Sequence, residues 1–500
     1  MTGRRVVLAV ALCAVFVHLG ALWNRFAFDD VYIIALNPLV HSLSGAWRAF
    51  VEPYWPGNLT GAMYRPLPVF TFALDWVVRH PAWFHGVNLL WHAGATAAVA
   101  AIAGRWTGWP GGLVAGLVFA VHPVHVEAVA NVVGRNELMA ALFALLAVYA
   151  ALERRSVAWS GAALALAVLS KENAAVAPAL VVWGWLVGVA PRPSRGRMAA
   201  FAASWVAGGA AYAALRWSVL HQYAGFTATA PVFLGESVIG QRLTAVAALG
   251  DVTRLLLFPL HLSADYSPDE RTAVRSVLDP RFLLGAACAG LWAGLVVLAW
   301  RRRRPVAAFG LGWIGIALLP VSNLAFPIGV LIAERTLYLP SAGLALAAGA
   351  WLRHLAPRRL ALVGGLVLAL GGVRSAARVP AWRDNRTATL SLLDDAPRSY
   401  RSWDYVGWEF LRGRQDARAL EAFLQSGRIY SRDARVALAA ADAAISLGQH
   451  RLADSLFAHA DSVCERCWVS YRNQAVAAWL RGASESADSL RVRARRLGAP

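Results

Sequence analysis

The chain has 500 residues, 58% of them hydrophobic and only 15% charged, with a formal net charge of +19. Soluble globular proteins average about 45–50% apolar and about 25% charged residues, so a single water-soluble core is excluded, and 22 Trp with 19 Phe exclude a disordered chain. A charge of this sign points to nucleic acid in a polar protein, but in a chain this apolar it reports cations held on one side of a bilayer.

Charge-free apolar runs recur at 6–24, 86–104, 111–126, 138–152, 156–170, 173–190, 198–215, 282–300, 305–322, 336–352 and 360–373. A spanning helix needs roughly 20 apolar residues. The shorter runs, 138–152, 156–170 and 360–373, must extend into flanking arginines whose side chains snorkel. The expected fold is all-α: a polytopic membrane helix bundle of about 11 spans, followed by a helical tail. The first run follows Arg4 and Arg5, and no small-residue cleavage site precedes Trp23-Asn24-Arg25, so it reads as a retained helix. With the N-terminus in the cytoplasm, Arg105, Arg154, Arg155, Arg192, Arg195, Arg197, Arg301 to Arg304, Arg353, Arg358 and Arg359 all fall in cytoplasmic loops. Residues 25–85, 127–137, 171–172, 216–281, 323–335 and the tail then lie outside. The stretch 66–79, interrupted by Asp75 and two prolines, and the stretch 243–260, interrupted by Asp251 and Arg254, are expected as interfacial helices in the outer loops 25–85 and 216–281.

The tail carries a repeat. Ala453-Asp454-Ser455-Leu456 returns as Ala487-Asp488-Ser489-Leu490, and Gly448 and Gly482, like Phe423 and Phe457, keep the same offset of 34, with Gly413 preceding. That is the period of the tetratricopeptide (TPR) helix–turn–helix. The expected division is a membrane domain over 1–373, a linker over 374–399 and a short TPR-like solenoid over 400–500, a kind of array that binds peptide or protein. Cys464 and Cys467 lack the further ligands of a zinc site and are expected as a local disulfide on an oxidising face. Asn58-Leu59-Thr60 and Asn385-Arg386-Thr387 match a glycosylation acceptor pattern. Only Lys171 among the 48 basic residues is a lysine, as a GC-rich coding genome would leave, which suggests a bacterium and leaves those acceptor patterns without meaning.

The outer segments gather acids, histidines and a few cations. In chain order they hold Asp29-Asp30, Tyr64-Arg65-Pro66-Leu67, Asn88 and His92, then His122-Pro-Val-His125-Val-Glu127-Ala-Val-Ala running into Gly134-Arg135-Asn136-Glu137, then Lys171-Glu172, Asp265-Tyr266 and Glu334-Arg335-Thr336-Leu337-Tyr338-Leu339-Pro340-Ser341. This series resembles the transmembrane and tetratricopeptide-repeat-containing O-mannosyltransferases over nearly the whole chain. The acidic pair after the first helix is more distantly similar to the GT-C superfamily of membrane glycosyltransferases. The repeat array is shorter than in animal members.

The resemblance implies transfer of a hexose, mannose above all, from a polyprenyl-phosphate carrier to Ser or Thr of an exported protein or to another outer-face acceptor, at the outer face of the inner membrane. The residues support such chemistry. An acceptor hydroxyl must lose its proton as it attacks an oxocarbenium-like centre. Asp29 or Asp30 can take it, Asp30 being preferred, with the other as a supporting group. No second nucleophile is evident, which favours direct, inverting displacement. The leaving phosphate needs cations or hydrogen bonds, for which Arg335, Lys171 and Arg135 are the candidates, with Glu334 and Tyr338 beside them. His122, His125 and Glu127 are expected to bind sugar or phosphate, with a structural network or a metal site as the other readings. Arg65, Asn88, His92, Glu172 and Asp265 are expected to bind substrate or support the site. A divalent cation, Mg or Mn, is left open. The expected partners are the lipid-linked sugar, the bilayer and an acceptor protein docked on the tail, with no nucleic acid. A transporter or flippase would instead spread its acids through mid-membrane helices and repeat its two halves, and a non-catalytic scaffold with a binding tail would give the outer polar cluster no role.

Overall fold

The computed structural model describes residues 2–56, 63–221, 229–464 and 468–497, all helix, turn or loop and no strand. Asn58, Thr60 and Cys467 lie outside the described residues. The chain divides into two units. One comprises residues 1–229, 237–262 and 274–388, the other 230–236, 263–273 and 389–500.

In the first unit each of the eleven apolar runs is largely helical, but in different lengths. Among the described residues, Pro81–Thr107, Val132–Leu152, Arg195–Leu220, Pro280–Arg301 and Pro357–Trp382 are long and apolar enough to cross a membrane, and Trp109–Ala120 with Pro123–Ala130 forms a sixth candidate bent by 50°. Val157–Ser170, Glu172–Val187 and Pro305–Val321 are apolar but shorter. The first run breaks into a helix, Gly3–Val17, and a 3₁₀ turn, Leu19–Trp23. Tyr338–Leu352 covers the run 336–352. Proline opens many of these helices, at Pro81, Pro110, Pro280, Pro305 and Pro357, where its missing N–H would have no helical partner anyway.

The packing explains why the body is a bundle. Val99, Phe119, Leu145, Leu180, Phe309, Trp313 and Leu346 share one buried apolar core. Gly310 and Gly343 face each other so closely that a Cβ on either would collide with the carbonyl oxygen of the other, the small-residue contact that brings apolar helices together. Arg195–Leu220 and Pro280–Arg301 leave almost all of their apolar surface uncovered, with Val206, Leu284 and Leu291 more than half exposed. Water would not tolerate such surface on a monomer, but a bilayer does. The chain is a multi-pass membrane protein.

Among the described residues, the second unit holds three helix pairs: Tyr400–Arg412 with Asp416–Ile429, Ala434–Ser446 with His450–Val463, and Trp468–Leu480 with Ser484–Arg496. Gly413, Gly448 and Gly482 each stand in the turn inside a pair. Gly448 and Gly482 take φ of 71° and 77°, and in the first pair the neighbouring Arg414 takes the left-handed position instead. Ala453 and Ala487 are buried where paired helices meet. Cys464 is disulfide-bonded.

In the stretch 374–399, helices Val373–Arg378 and Asn385–Asp395 and the turn Val379–Trp382 occupy most of the residues. Of the outer loop 216–281, the pieces 230–236 and 263–273 group with the second unit. There Tyr430 Oη donates to the Pro231 carbonyl at 2.8 Å, and the Tyr400 N–H donates to the Pro268 carbonyl at 2.8 Å.

Candidate active site

The stretch from His122 to Arg135 is the frame of the site. It links helix Trp109–Ala120 to helix Arg135–Leu152 through three short helical turns, Pro123–His125, Val126–Ala130 and Val132–Gly134. His122 caps the first, its Nδ1 accepting from the Val124 N–H at 3.3 Å. Gly134 is needed because a Cβ there would strike the Ala128 carbonyl. The turn at Val132 leaves two backbone N–H groups pointing out of the helical ladder, and Asp30 receives both.

Asp29 and Asp30 are adjacent but face opposite ways. Asp30 is fully buried and accepts from the backbone N–H of Val133 at 2.8 Å, Val132 at 3.2 Å and Ala27 at 3.3 Å. Asp29 is exposed. Asp30, the residue preferred as base from sequence, is thus sealed among three backbone donors, while Asp29 stands at the surface.

Burial pushes the Asp30 carboxyl up, to about 7, while its three backbone donors hold it back. Its ordinary value is 3.8. Between the two the folded protein retains a proton that the unfolded chain has released, so stability falls as pH rises from about 4 through about 7. Thermal unfolding in detergent at pH 5 and pH 8 checks this. The wild type is expected to lose more stability on going to pH 8 than Asp30→Asn does, and equal losses would refute the shift.

The cations separate by what they can reach. The Arg335 side chain is 37% exposed. Its backbone N–H donates to Glu127 Oε2 at 2.8 Å, and its guanidinium pairs with Glu127 Oε1. Glu127 holds that guanidinium above its ordinary range against burial, and Asp29 and Glu137 add to the effect, so Asp29 and Arg335 share one local field. Lys171 pairs with Glu137, whose other oxygen takes Asn173 Nδ2 at 3.3 Å. Burial pulls the Lys171 ammonium down, Glu137 opposes, and Arg65 and Arg335 add to the fall. Arg65 pairs with Glu172 at 3.1 Å, and Arg216 reaches the same carboxylate at 3.4 Å. Arg65 also lies over the Tyr54 ring at 5.5 Å, and Tyr54 Oη accepts from Asn136 Nδ2 at 2.9 Å. Asp29, Arg335, Lys171 and Arg65 thus belong to one interleaved set of charges, in which carboxylates keep the cations charged and aligned.

Arg135 is not part of that reachable set. It is fully buried, its Nη1 on Asp75 and on Thr71 Oγ1, its Nη2 on the Phe84 carbonyl at 3.0 Å, its Nε on Asn88 Oδ1 at 2.8 Å, and its guanidinium 4.7 Å from the Phe72 ring centre. Asn88 in turn donates to the Val132 and Asn131 carbonyls at 3.1 and 3.2 Å. Both residues are buried and hold the frame.

His92 and Tyr338 are likewise sealed in the core, bonded to each other at 2.7 Å. His125 bonds Ser341 at 2.7 Å and His122 the Leu256 carbonyl at 3.0 Å, so the two histidines and Glu127 point to separate partners. Glu334 is buried beside Arg335. Asp265 lies in the other unit, accepting from Ser399 Oγ at 2.6 Å, Ser267 Oγ at 2.8 Å and the Ser267 N–H at 2.9 Å. It is a fixture of the tail. Among the described residues, no group of three or more His, Cys, Asp or Glu is arranged to hold a metal ion.

Sequence reasoning gave no role to Asp75, Tyr54, Asn136, Asn173 and Arg216, although Asp75 stood out as an acid inside an apolar run and Asn136 lay within a quoted motif. A small, largely apolar crevice lies between helix Val238–Leu257 and the segment leading into Arg335, lined by Ala245, Leu249, Val252, Leu331, Ile332 and Leu337.

No family model matches the chain. Its curated relatives are protein O-mannosyl-transferases. It is 28% identical over 443 residues to TMTC4 of Mus musculus, covering 74% of this chain and 59% of that protein. It is 29% identical over 360 residues to a protein O-mannosyl-transferase of Caenorhabditis elegans, covering 69% and 51%. The chain thus spans between half and three fifths of the length of these relatives. A solved oligosaccharyltransferase from Archaeoglobus fulgidus aligns over 83% of this chain and 58% of its own at a TM-score of 0.37 and 14% identity, too loose a likeness to bear on fold or function.

Proposed function

We propose that this chain is a membrane glycosyltransferase that moves a hexose, mannose by the reading of its relatives, from a polyprenyl-phosphate carrier to Ser or Thr of an exported protein. One observation carries the reading: of two adjacent carboxylates, one is buried to fix the loop and the other is left exposed in the field of a reachable arginine.

In this mechanism Asp29 takes the proton of the acceptor hydroxyl as its oxygen attacks the anomeric carbon. The bond from that carbon to the phosphate oxygen breaks, and the electron pair leaves with the lipid phosphate. Arg335 meets the negative charge that develops there, with Lys171 and Arg65 behind it. Glu127 and Glu137 keep these cations aligned before substrate arrives, so little rearrangement is needed at the moment of reaction. The helix pairs of the tail are the surface on which an acceptor chain docks, as a TPR-like array would provide.

The full topology belongs to this proposal: about 11 spans counting the shorter helices, the N-terminus in the cytoplasm, and the site and tail on the outer face of the inner membrane. A reporter fused after residue 374 is expected to be active outside the cytoplasm, and activity inside would overturn the orientation. For the chemistry, purified protein with a polyprenyl-phosphate mannose should release polyprenyl phosphate only when a Ser/Thr acceptor is added. Release independent of acceptor, or none at all, would count against a transferase of this kind.

A further inference from the structure

The turn that presents Asp29 is held by a part of the chain more than 350 residues away. Phe28, just before it, has φ of 50°, a left-handed conformation that a bulky L residue rarely adopts unless its surroundings impose it. The imposing group is visible. The Phe28 N–H donates to Asn385 Oδ1 at 2.6 Å, and the Phe28 ring stands edge-on to Trp382 with centres 5.9 Å apart. The same strand of contacts continues upstream, where the Arg25 N–H donates to the Arg383 carbonyl at 2.7 Å and Asn24 Nδ2 to the Val379 carbonyl at 3.4 Å. All of these residues lie in the first unit.

We infer that Asn385 is a positioning residue for Asp29: its amide oxygen, backed by Trp382, holds Phe28 in the left-handed turn that directs Asp29 outward toward Arg335. Asp30 fixes the loop from below through its three backbone donors, and Asn385 fixes it from the side. With only one of the two, Phe28 can relax to an ordinary φ, and Asp29, the next residue, swings with it. The inference rests on Asp29 being the base. It gives the segment 379–385 a role in the reaction that neither a linker nor a passive last span would have, and it assigns the side chain of Asn385 as a hydrogen-bond acceptor for the backbone.

Two variants of nearly equal size separate the hydrogen bond from packing. Asn385→Leu fills the same volume without an acceptor, and Asn385→Asp keeps an acceptor oxygen in place. In the transfer assay Asn385→Leu is expected to lower kcat by about 10–100-fold, the loss typical of a misplaced reacting group, with donor KM unchanged, and Asn385→Asp to recover most of it. Hydrogen–deuterium exchange of the peptide covering residues 24–31 gives a readout that needs no activity. Asn385→Leu should exchange faster there, and Asn385→Asp should match the wild type. Unchanged exchange in Asn385→Leu overturns the positioning role outright. Faster exchange with an undiminished kcat overturns its link to the reaction. An inactive wild type whose exchange still follows the expected pattern leaves the clamp in place and rejects the transferase reading instead.

Discussion

Asp29→Asn is expected to lower the rate of sugar transfer by about 10²–10⁴-fold, the usual contribution of a positioned general base, while the protein folds normally and still binds its lipid-linked donor. Asparagine matches aspartate in shape and cannot accept the proton. Asp29 is exposed, so the substitution removes a charge at the surface and not from the core. The adjacent position behaves in the opposite way. Asp30→Ala leaves the N–H groups of Val132, Val133 and Ala27 without their acceptor, and each unpaired donor costs about 1–3 kcal/mol, so this variant is expected to show a lowered Tm. Asp30→Asn, which resembles the protonated acid that burial favours, should fold and retain far more activity than Asp29→Asn. Measuring kcat and Tm for the three variants checks the assignment. Equal loss of kcat in Asp29→Asn and Asp30→Asn would mean that the pair acts as one unit.

The second large effect is on folding. Arg135→Ala should destabilise the body by about 3–5 kcal/mol, the cost of leaving the other member of a buried ion pair uncompensated. Asp75 would keep the Trp83 indole N–H but lose its cation, and Thr71 Oγ1, Asn88 Oδ1 and the Phe84 carbonyl would lose a donor as well. Asp75→Ala should do comparable damage for the mirror reason, since it strands a fully buried guanidinium. Arg335→Ala should do less, because that side chain is more than a third exposed and the buried Glu127 keeps the backbone N–H of residue 335 as a donor; its larger effect is on a donor phosphate. Thermal unfolding in detergent, alongside donor affinity, separates the two arginines. A folded Arg135→Ala protein with weakened donor binding would return Arg135 to the ligand side.

Much of this was legible in the sequence where a physical rule has a short range. Apolar runs and arginine placement give the membrane helices. The offset of 34 gives the helix pairs of the tail, because the turn inside each pair needs a left-handed residue and glycine or its neighbour supplies it. The polar motifs were found as well, since His122 to Arg135 and Glu334 to Ser341 pack chemistry-bearing residues densely. What sequence could not assign is direction. Which of two neighbouring aspartates faces inward is decided by Val132 and Val133, about a hundred residues on. Arg135 and Arg335 look alike as cations following motif residues, yet one meets Asp75 from the stretch read as an interrupted interfacial helix, and the other stays within reach of solvent. Asp265 was drawn to the site by its place in the longest outer loop, but that loop has no periodicity to reveal that two of its pieces fold with the tail. Asn385 lay in a stretch without hydrophobic pattern, and only the turn at Phe28 reveals its use.

The most direct test is the transfer of radiolabelled mannose from polyprenyl-phosphate mannose to a Ser/Thr-containing acceptor by purified protein, with wild type and Asp29→Asn side by side. Label on the acceptor that is released by alkaline β-elimination, present with the wild type and nearly absent with Asp29→Asn, is the predicted result. Wild-type protein that binds the donor but transfers nothing, or Asp29→Asn protein that transfers at the wild-type rate, would contradict it.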